Sequence, residues 1–358
     1  MLSKIKVDRN LAFVSECIRT EGSINKNASF FSFGNSHVRL IQEFKNRLGK
    51  IMQDCKLYEY LHVHIDIPLN AKKDSIKIVS RNRKIEKFNL RTRNRFGKTV
   101  KELNFIDKVT SYPDIKIYKI FLDNKLFDVE INIFPDSRIK VKSILKVSAV
   151  IQLNIVAKSI KEYLKNILMI PEGRKSYIIY IPKVIKNSSK NILKEVISAV
   201  FSCEGWLAFL PGRKGIRTIS LEMRSIQYIQ DIADILSKFS IKCRISKNHE
   251  ILTISGKKNL QSFLKNFRFI QPEKQEKLCT MMESYQKYSS YELENICLKA
   301  LQEIDKPLTI YQIAQNIDKR RERTRQILKK LIEKNEVTEI KNNAPKPYLF
   351  VSNNLRNV

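Results

Sequence analysis

The feature that most constrains this chain is an internal repeat of three sequence elements in the same order. Two apolar helical segments end in Glu-Gly: LAFVSECIRTEGSI from Leu11 and EVISAVFSCEGWL from Glu195. Amphipathic segments follow from Asn35 and from Arg224, and each copy then shows the pattern K-x-[IL]-x-x-[YF]-L-K-N, in AKSIKEYLKN and KKNLQSFLKN. The three matched pairs predict two related halves within one chain.

The spacing of the repeat predicts the domain organisation. Glu21 and Lys158 are 137 residues apart, whereas Glu204 and Lys258 are 54 apart, so the first copy carries 83 additional residues. We predict a first repeat over residues 1–180 with a basic insertion at about 55–150, a second repeat over 181–286, and a C-terminal domain over 290–352. Asp8 and either Ser188 or Ser189 are expected to cap the two Glu-Gly helices.

Charge indicates the class of partner. The chain has 67 Lys and Arg against 36 Asp and Glu, a net charge of +31, which favours a nucleic acid partner.

The chain has no apolar run long enough to span a membrane and no secretion signal, so we expect a cytoplasmic protein without a membrane partner. Its six cysteines form no C-x-x-C pair and are expected to be reduced thiols. No phosphate-binding loop or dinucleotide motif is present, so no nucleotide cofactor is predicted.

The acid at the end of each Glu-Gly helix indicates a nearby cation. The C-terminal end of a helix carries partial negative charge, so Glu21 and Glu204 are unfavourable there unless a cation lies nearby. Small residues along the helices, Ser15, Ser198, Ala199 and Ser202, indicate two closely packed helices that bring the carboxylates together. Such a pair suits Mg²⁺ and phosphodiester hydrolysis. The following glycine is expected to adopt a left-handed C-cap. A single Glu-Gly, in contrast, is usually only a solvated helix end.

VSECIRTEG and ISAVFSCEG resemble the two motifs of the single-chain LAGLIDADG homing endonucleases. ILTISGKKNLQSFLKNFRFIQPEKQEKL is similar to the closing strand and helix of that family, so the resemblance covers roughly residues 8–285. It implies an α+β fold of two pseudo-symmetric αββαββα repeats whose sheets form a DNA-binding saddle. It also implies that Glu21 and Glu204 bind catalytic Mg²⁺, and that Lys158 and Lys258 are catalytic lysines near the cleavage centre.

The first motif departs from the family at one position. Glu16 stands where the motif usually has a small residue, and Arg19 follows three residues later. Because side chains three residues apart on a helix are neighbours, we expect these two to form an ion pair in or beside the helix interface.

Basic residues predict the DNA-contacting surface. Residues 71–101 contain twelve Lys or Arg against two acids, and the alternation in RTRNR places three arginines on one face of a strand. The alternative is a solvated insertion whose charge only increases solubility. The residues expected to contact DNA in the two repeats are Arg81, Arg83, Arg91, Arg93, Arg95, Arg213, Lys214, Arg217, Arg224, Lys242 and Arg244.

The C-terminal segment predicts a winged helix-turn-helix. Three helices, with Thr309 capping the second, precede two short strands around a turn that contains Pro345 and Pro347. Arginines open the third helix, ahead of the packing residues Ile327, Leu328, Leu331 and Ile332. The arginines predicted to contact DNA are Arg320, Arg321, Arg323 and Arg325, and Lys341 and Lys346 are predicted to reach phosphate from the wing. A protein-binding or purely structural module is the alternative.

The combined features favour a monomeric, site-specific, Mg²⁺-dependent double-strand DNA endonuclease. Two other functions remain open: a non-catalytic DNA-binding transcriptional regulator on the same scaffold, and a maturase whose partner is intron RNA.

His62, His64 and Asp66 share one face of a predicted strand, where they form either a metal site or a polar strand face.

Overall fold

The computed structural model of the chain describes residues 7–26, 29–52, 55–80, 83–95, 98–122, 125–210, 216–285, 290–304, 306–317, 319–340 and 349–353. The chain divides into two compact units. The first contains Met1–Trp206 and Ile219–Glu276, and the second contains Leu207–Thr218 and Lys277–Val358. None of the helices in these described ranges is long and apolar enough to cross a bilayer.

The first half of the chain is rich in strands. It begins with α1 (Arg9–Thr20), β1 (Ser23–Ile24), β2 (Phe30–Asn35), α2 (Val38–Ile51) and β3 (Lys56–Ile67). The inserted elements follow: a 3-10 turn (Lys73–Ser75), β4 (Ile76–Ser80), β5 (Arg83–Lys84), β6 (Phe88–Arg95), β7 (Lys98–Lys108), β8 (Asp114–Leu122), β9 (Lys125–Ile133) and β10 (Lys140–Lys142). The half closes with β11 (Val147–Val156) and α3 (Lys158–Asn166).

Antiparallel pairing gathers these strands into two sheets. The larger sheet has the order β1-β2-β11-β3-β7-β6, and the other has the order β10-β9-β8-β4-β5. β3 pairs with β11 from Lys56 opposite Val156 to Ile65 opposite Val147, so both strands that flank the insertion belong to the larger sheet. The inserted elements therefore lie between these two strands along the chain, although the strands themselves are neighbours in the sheet. They add β6 and β7 to the larger sheet and form the five-stranded sheet by themselves.

The second half repeats the element order of the first without the insertion. It contains α4 (Lys183–Lys186), α5 (Lys190–Cys203), β12 (Gly205–Leu210), β13 (Ile216–Glu222), α6 (Ile226–Ser237), β14 (Cys243–Ile245), β15 (Ile251–Ser255) and α7 (Lys257–Asn266). Its sheet order is β12-β13-β15-β14, which corresponds to β1-β2-β11-β3 in the first half. Both halves thus follow the order helix-strand-strand-helix-strand-strand-helix, and the fold class is α+β.

The remaining elements lead into a small helical module. They are α8 (Pro272–Glu283), α9 (Ser290–Glu303), β16 (Leu308–Thr309), α10 (Ile310–Asn316), α11 (Arg321–Glu333), β17 (Val337–Ile340) and β18 (Leu349–Ser352). The three strands form a sheet of order β16-β18-β17. The module has its own core, in which Ile327, Leu328 and Leu331 of α11 are buried and Ile332 is partly buried.

Local sequence signals explain where several helices begin. The Asp8 side chain accepts a hydrogen bond from the Leu11 N–H at 2.7 Å, as an N-cap does. Ser189 is the N-cap of α5, and Thr309 forms a capping box with Gln312 at the start of α10. The predicted caps at Asp8 and Thr309 are confirmed, and Ser189 is confirmed as the N-cap position, although its side chain makes no capping hydrogen bond.

Candidate active site at the paired helix ends

Two acidic side chains lie at the C-terminal ends of two helices that pack against each other. Glu21 is the C-cap residue of α1, and Glu204 is the C-cap residue of α5. The small side chains predicted for a close helix pair are all buried: Ser15, Ser198, Ala199 and Ser202. The carboxylates lie close enough for the charge of Glu204 to raise the pKa of Glu21. The structure therefore brings the two repeat-related acids together.

The residue after each acid must be glycine, because there is no room for a side chain at that position. The prediction of a left-handed C-cap is wrong at both positions, because neither Gly22 nor Gly205 has a positive φ. A Cβ on Gly22 would lie 2.5 Å from the carbonyl oxygen of Ser32, and one on Gly205 would lie 2.5 Å from that of Phe201. Any side chain there would collide with backbone, so the chain can leave each helix only through glycine.

Burial dominates the electrostatics of the two acids. It raises the pKa of Glu21 from its ordinary value of 4.5 to about 8, and the Glu204 charge adds to this effect. Burial also raises the pKa of Glu204, with a further contribution from Glu222. Lys175 and Lys274 lower the pKa of both acids. Burial thus disfavours the charged form of both carboxylates, and a bound cation would offset that cost.

The two lysines occupy the ends of the paired helices. Lys175 donates from Nζ to the carbonyl oxygen of Ile18. Lys274 donates to the carbonyl oxygens of Ser202 at 3.1 Å and Gly205 at 2.7 Å. Burial lowers the pKa of both ammonium groups, that of Lys175 to about 7. These lysines satisfy carbonyls at the negative ends of α1 and α5, and the sequence analysis missed both.

The two lysines that the sequence predicts lie elsewhere on the repeat. Lys158 is the first residue of α3 and Lys258 lies in the first turn of α7, and both side chains are exposed. A catalytic role for either one stays a prediction.

Asn35, the last residue of β2, connects Glu21 to further polar groups. Its Nδ2 donates a hydrogen bond to Oε2 of Glu21. Its Oδ1 accepts from the backbone N–H of His37 at 2.8 Å. Nε2 of His37 in turn lies 2.6 Å from Oε1 of Glu273. Asn35 is therefore held at both ends of its amide group.

A cavity of about 380 Å³ opens beside Glu204. Its walls include Lys175, Glu204, Trp206, Glu222, Met223 and Arg224. Cationic and anionic side chains face the same space, which makes the cavity suitable for a polar ligand.

The ion pair predicted in the first motif is confirmed. Nε of Arg19 lies 3.0 Å from Oε1 of Glu16, and both side chains are fully buried. The hydroxyl of Tyr228 donates to Oε2 of Glu16 at 2.7 Å, and Nη2 of Arg19 donates to the carbonyl oxygen of Leu168 at 2.6 Å. The network connects α1 of the first half to α6 of the second, which fixes how the two halves pair.

The predicted DNA-contacting arginines of the insertion lie in different surroundings. Arg91 is exposed on β6, an edge strand whose charges also oppose pairing with other chains. Nε of Arg93 lies 3.4 Å from Oε1 of the buried Glu102. Arg83, on the five-stranded sheet, donates to Oδ1 of Asp107 at 2.6 Å but stays 67% exposed. Arg81 and the side chain of Arg95 lie outside the described residues.

The second-half residues also differ from one another. Lys242 and Arg244 are exposed. Arg224 is exposed too, and its Nη1 donates to the Tyr177 hydroxyl at 2.9 Å. Arg213 and Lys214 lie outside the described residues.

Arg217 makes its contacts within the protein. Its Nε donates to Oγ of Ser284 at 2.7 Å, and its guanidinium lies 5.0 Å from the ring centroid of Tyr285. This side chain is tied to the end of α8, so a DNA contact would compete with these interactions.

The arginines at the start of α11 are exposed. They are Arg320, Arg321, Arg323 and Arg325. The guanidinium of Arg321 lies 5.1 Å from the ring centroid of Tyr311. The predicted wing, with Lys341, Pro345, Lys346 and Pro347, lies outside the described residues.

The donor atoms at the helix ends suit a hard divalent cation. Within the described ranges, no group of three or more His, Cys, Asp or Glu side chains is arranged to hold a metal ion. Mg²⁺, however, is commonly bound by one or two carboxylates, with water and substrate phosphates completing its coordination. Glu21 and Glu204 fit that pattern. His64, from the alternative metal set, contacts Asn104 and Glu102 instead.

No family model matches the chain. A 151-residue stretch is 30% identical to the probable translation initiation factor IF-2 of Methanocaldococcus jannaschii. The match covers 38% of this chain but only 13% of that protein, so the chain spans about an eighth of the relative's length.

Proposed function

We propose that this chain is a monomeric, site-specific double-strand DNA endonuclease of the LAGLIDADG type. The observation that carries the proposal is the convergence of Glu21 and Glu204 at the ends of two packed helices. Each acid has the C-terminal carbonyls of its helix nearby, and a lysine is bonded to those carbonyls. Acids placed against the helix dipole twice, at equivalent positions, favour a site built for a cation and a phosphate.

The scaffold supports the same function. Both halves share one element order and one sheet order, as expected for two αββαββα repeats. One face of β3 carries Tyr60, His62 and His64, which alternate with the buried Leu61 and Val63. Hydrogen-bonding side chains on a sheet face suit contacts with base edges and phosphates. We infer that this face belongs to a DNA-binding saddle.

In this proposal, the two acids and the two lysines of the site have different roles in cleavage. Mg²⁺ bound there would supply an activated water and stabilise the leaving oxygen of the phosphodiester. Glu21 and Glu204 would hold the cation as carboxylates, so the proton that the raised pKa of Glu21 favours would leave when the cation binds. Lys175, with a pKa of about 7, can give or take a proton near neutral pH. Lys274 would attract the phosphate.

The C-terminal module would act as a second DNA reader. Its helices and sheet follow the order of a winged helix, and exposed arginines open α11. A recognition helix contacts bases and phosphates with its first turns, where these arginines lie. Tethering this module to the nuclease would raise its effective concentration at the target and lengthen the footprint.

One experiment tests the proposal directly. The chain is incubated with Mg²⁺ and a randomised duplex library, and the ends that it produces are sequenced. We expect double-strand ends at one sequence, and no ends from a Glu21→Gln/Glu204→Gln variant that still binds the duplex. Sequence-specific binding without cutting by the unaltered chain would support the transcriptional regulator instead.

An RNA partner is the other alternative. It gains some support from the relative's name, which refers to translation. The same incubation with a structured RNA library distinguishes the two cases. Tight RNA binding without DNA cleavage would favour the intron RNA maturase.

A further inference from the structure

The two acids occupy equivalent positions but have unequal neighbours. Asn35 stands two residues before His37, the N-cap of α2, and donates to Glu21. In the second half, Met223 stands two residues before Ser225, the N-cap of α6. Asn35 and Met223 are about equally buried, at 9% and 8% exposure. A thioether has no hydrogen to donate, so Glu204 lacks the counterpart of the Asn35 bond.

Asn35 is well placed to fix the Glu21 carboxylate. Its amide oxygen is already held by the His37 N–H at 2.8 Å, which leaves Nδ2 directed at Glu21. Within the residues that the structure describes, no side chain donates a hydrogen bond to Glu204. That carboxylate faces the 380 Å³ cavity, where Met223 and Glu222 are its neighbours.

Hydrogen bonds to a charged group are stronger than neutral ones, and they limit how the carboxylate can rotate. Positioning of this kind changes reaction rates, because a misplacement of about 1 Å can cost about a hundredfold. The Asn35 hydrogen bond therefore fixes the orientation of the Glu21 carboxyl group, whereas no side chain of the described residues fixes Glu204 in this way.

We propose that Asn35 is a positioning residue that makes the two acids unequal, so that the two DNA strands are cut in a fixed order through a nicked intermediate. The inference rests on the proposed endonuclease function. In each cut, one water adds across one P–O bond and leaves a phosphomonoester on one side and a hydroxyl on the other. The strand whose cleavage depends on the geometry of Glu21 is cut first.

The test measures the two strands separately. A supercoiled plasmid that carries the selected site is cut with the full chain, and the nicked and linear products are followed with a different label on each strand. We expect the first strand to be cut about tenfold faster than the second or more, the factor typical of one charge-assisted hydrogen bond. Nicked plasmid should therefore accumulate before linear plasmid. Equal rates on the two strands would overturn the proposal.

Two variants separate positioning from structural support. Asn35→Asp keeps the oxygen that accepts from His37 but loses the donor to Glu21, and Asn35→Leu loses both. Each should slow the first strand selectively and bring the ratio of rates towards one, with DNA affinity unchanged. A merely structural role would slow both strands alike. Asn132 donates to Glu130 at 2.8 Å in the five-stranded sheet, so Asn132→Asp is a matched control that should leave the ratio unchanged.

An unchanged ratio in both Asn35 variants would also overturn the proposal. Failure of the unaltered chain to cut any duplex is a different result. It would refute the endonuclease itself, and the order of cutting with it.

Discussion

In the protein without a bound cation, the buried Glu21 carboxylate should lower the free energy of unfolding. The variant Glu21→Gln should therefore be more stable than the unaltered chain. The folded-state pKa of Glu21 is about 8, above its ordinary value of 4.5, because the carboxyl is buried beside Glu204. The folded chain therefore holds this proton more tightly than the unfolded chain. The resulting stabilisation is fully present below pH 4.5 and is lost as the pH rises to about 8.

The size of the effect follows from the two pKa values. The lost stability is about 3 kcal/mol at pH 7 and at most about 5 kcal/mol above pH 9. Glutamine carries no charge and can still accept the Asn35 hydrogen bond, so the variant avoids most of this cost. The lowered pKa of Lys175 destabilises the fold as the pH falls from 10.5 to about 7. This opposite trend is present in both proteins and largely cancels in their difference.

The assay is urea unfolding of the full chain in a chelator at a series of pH values between about 5 and 9.5. The gap in unfolding free energy between Glu21→Gln and the unaltered chain should widen with pH and level off above pH 8. Glu86 is an exposed glutamate of the insertion, so Glu86→Gln is the matched control and should show no such gap. A gap that stays constant across the series would refute the electrostatic reasoning.

Three further perturbations test separate parts of the structure. Gly22→Ala places a Cβ 2.5 Å from a carbonyl oxygen and should lower stability by roughly 1–3 kcal/mol in thermal melts, whereas Gly49→Ala, with nothing within 4 Å, should not. Arg19→Met leaves the buried Glu16 without its ion-pair partner and should cost roughly 3–5 kcal/mol. Adding Glu16→Gln to that variant should restore part of the loss, and a double variant as unstable as the single one would contradict this account. Truncation after Tyr285 should weaken DNA binding and shorten a nuclease footprint without moving the cut position, and equally tight binding would show that the module is not a DNA reader.

The parts of the fold that the sequence predicted depend on local signals. The caps at Asp8 and Thr309 could be predicted because each involves residues only a few positions apart in the sequence. The apolar face of α11 could be predicted for the same reason. The paired helices could be predicted because each half contains its own copy. In the insertion, the sequence showed only a high density of basic residues. That density does not reveal which carboxylate each arginine pairs with. The ion pairs that Arg83 and Arg93 form with carboxylates of β7 depend on how β6 and the five-stranded sheet are placed.

The two buried lysines are a different case, because the repeat contained the signal for them. Lys175 stands nine residues beyond Asn166, and Lys274 stands eight beyond Asn266, each after a Pro-Glu pair. The inserted Gly-Arg before Lys175 hides the match when the copies are compared at fixed spacing. The physics of the helix ends still requires both residues. An acid added to the negative end of a buried helix needs a positive charge in reach of the last carbonyls, and each half supplies one from the segment after its closing helix.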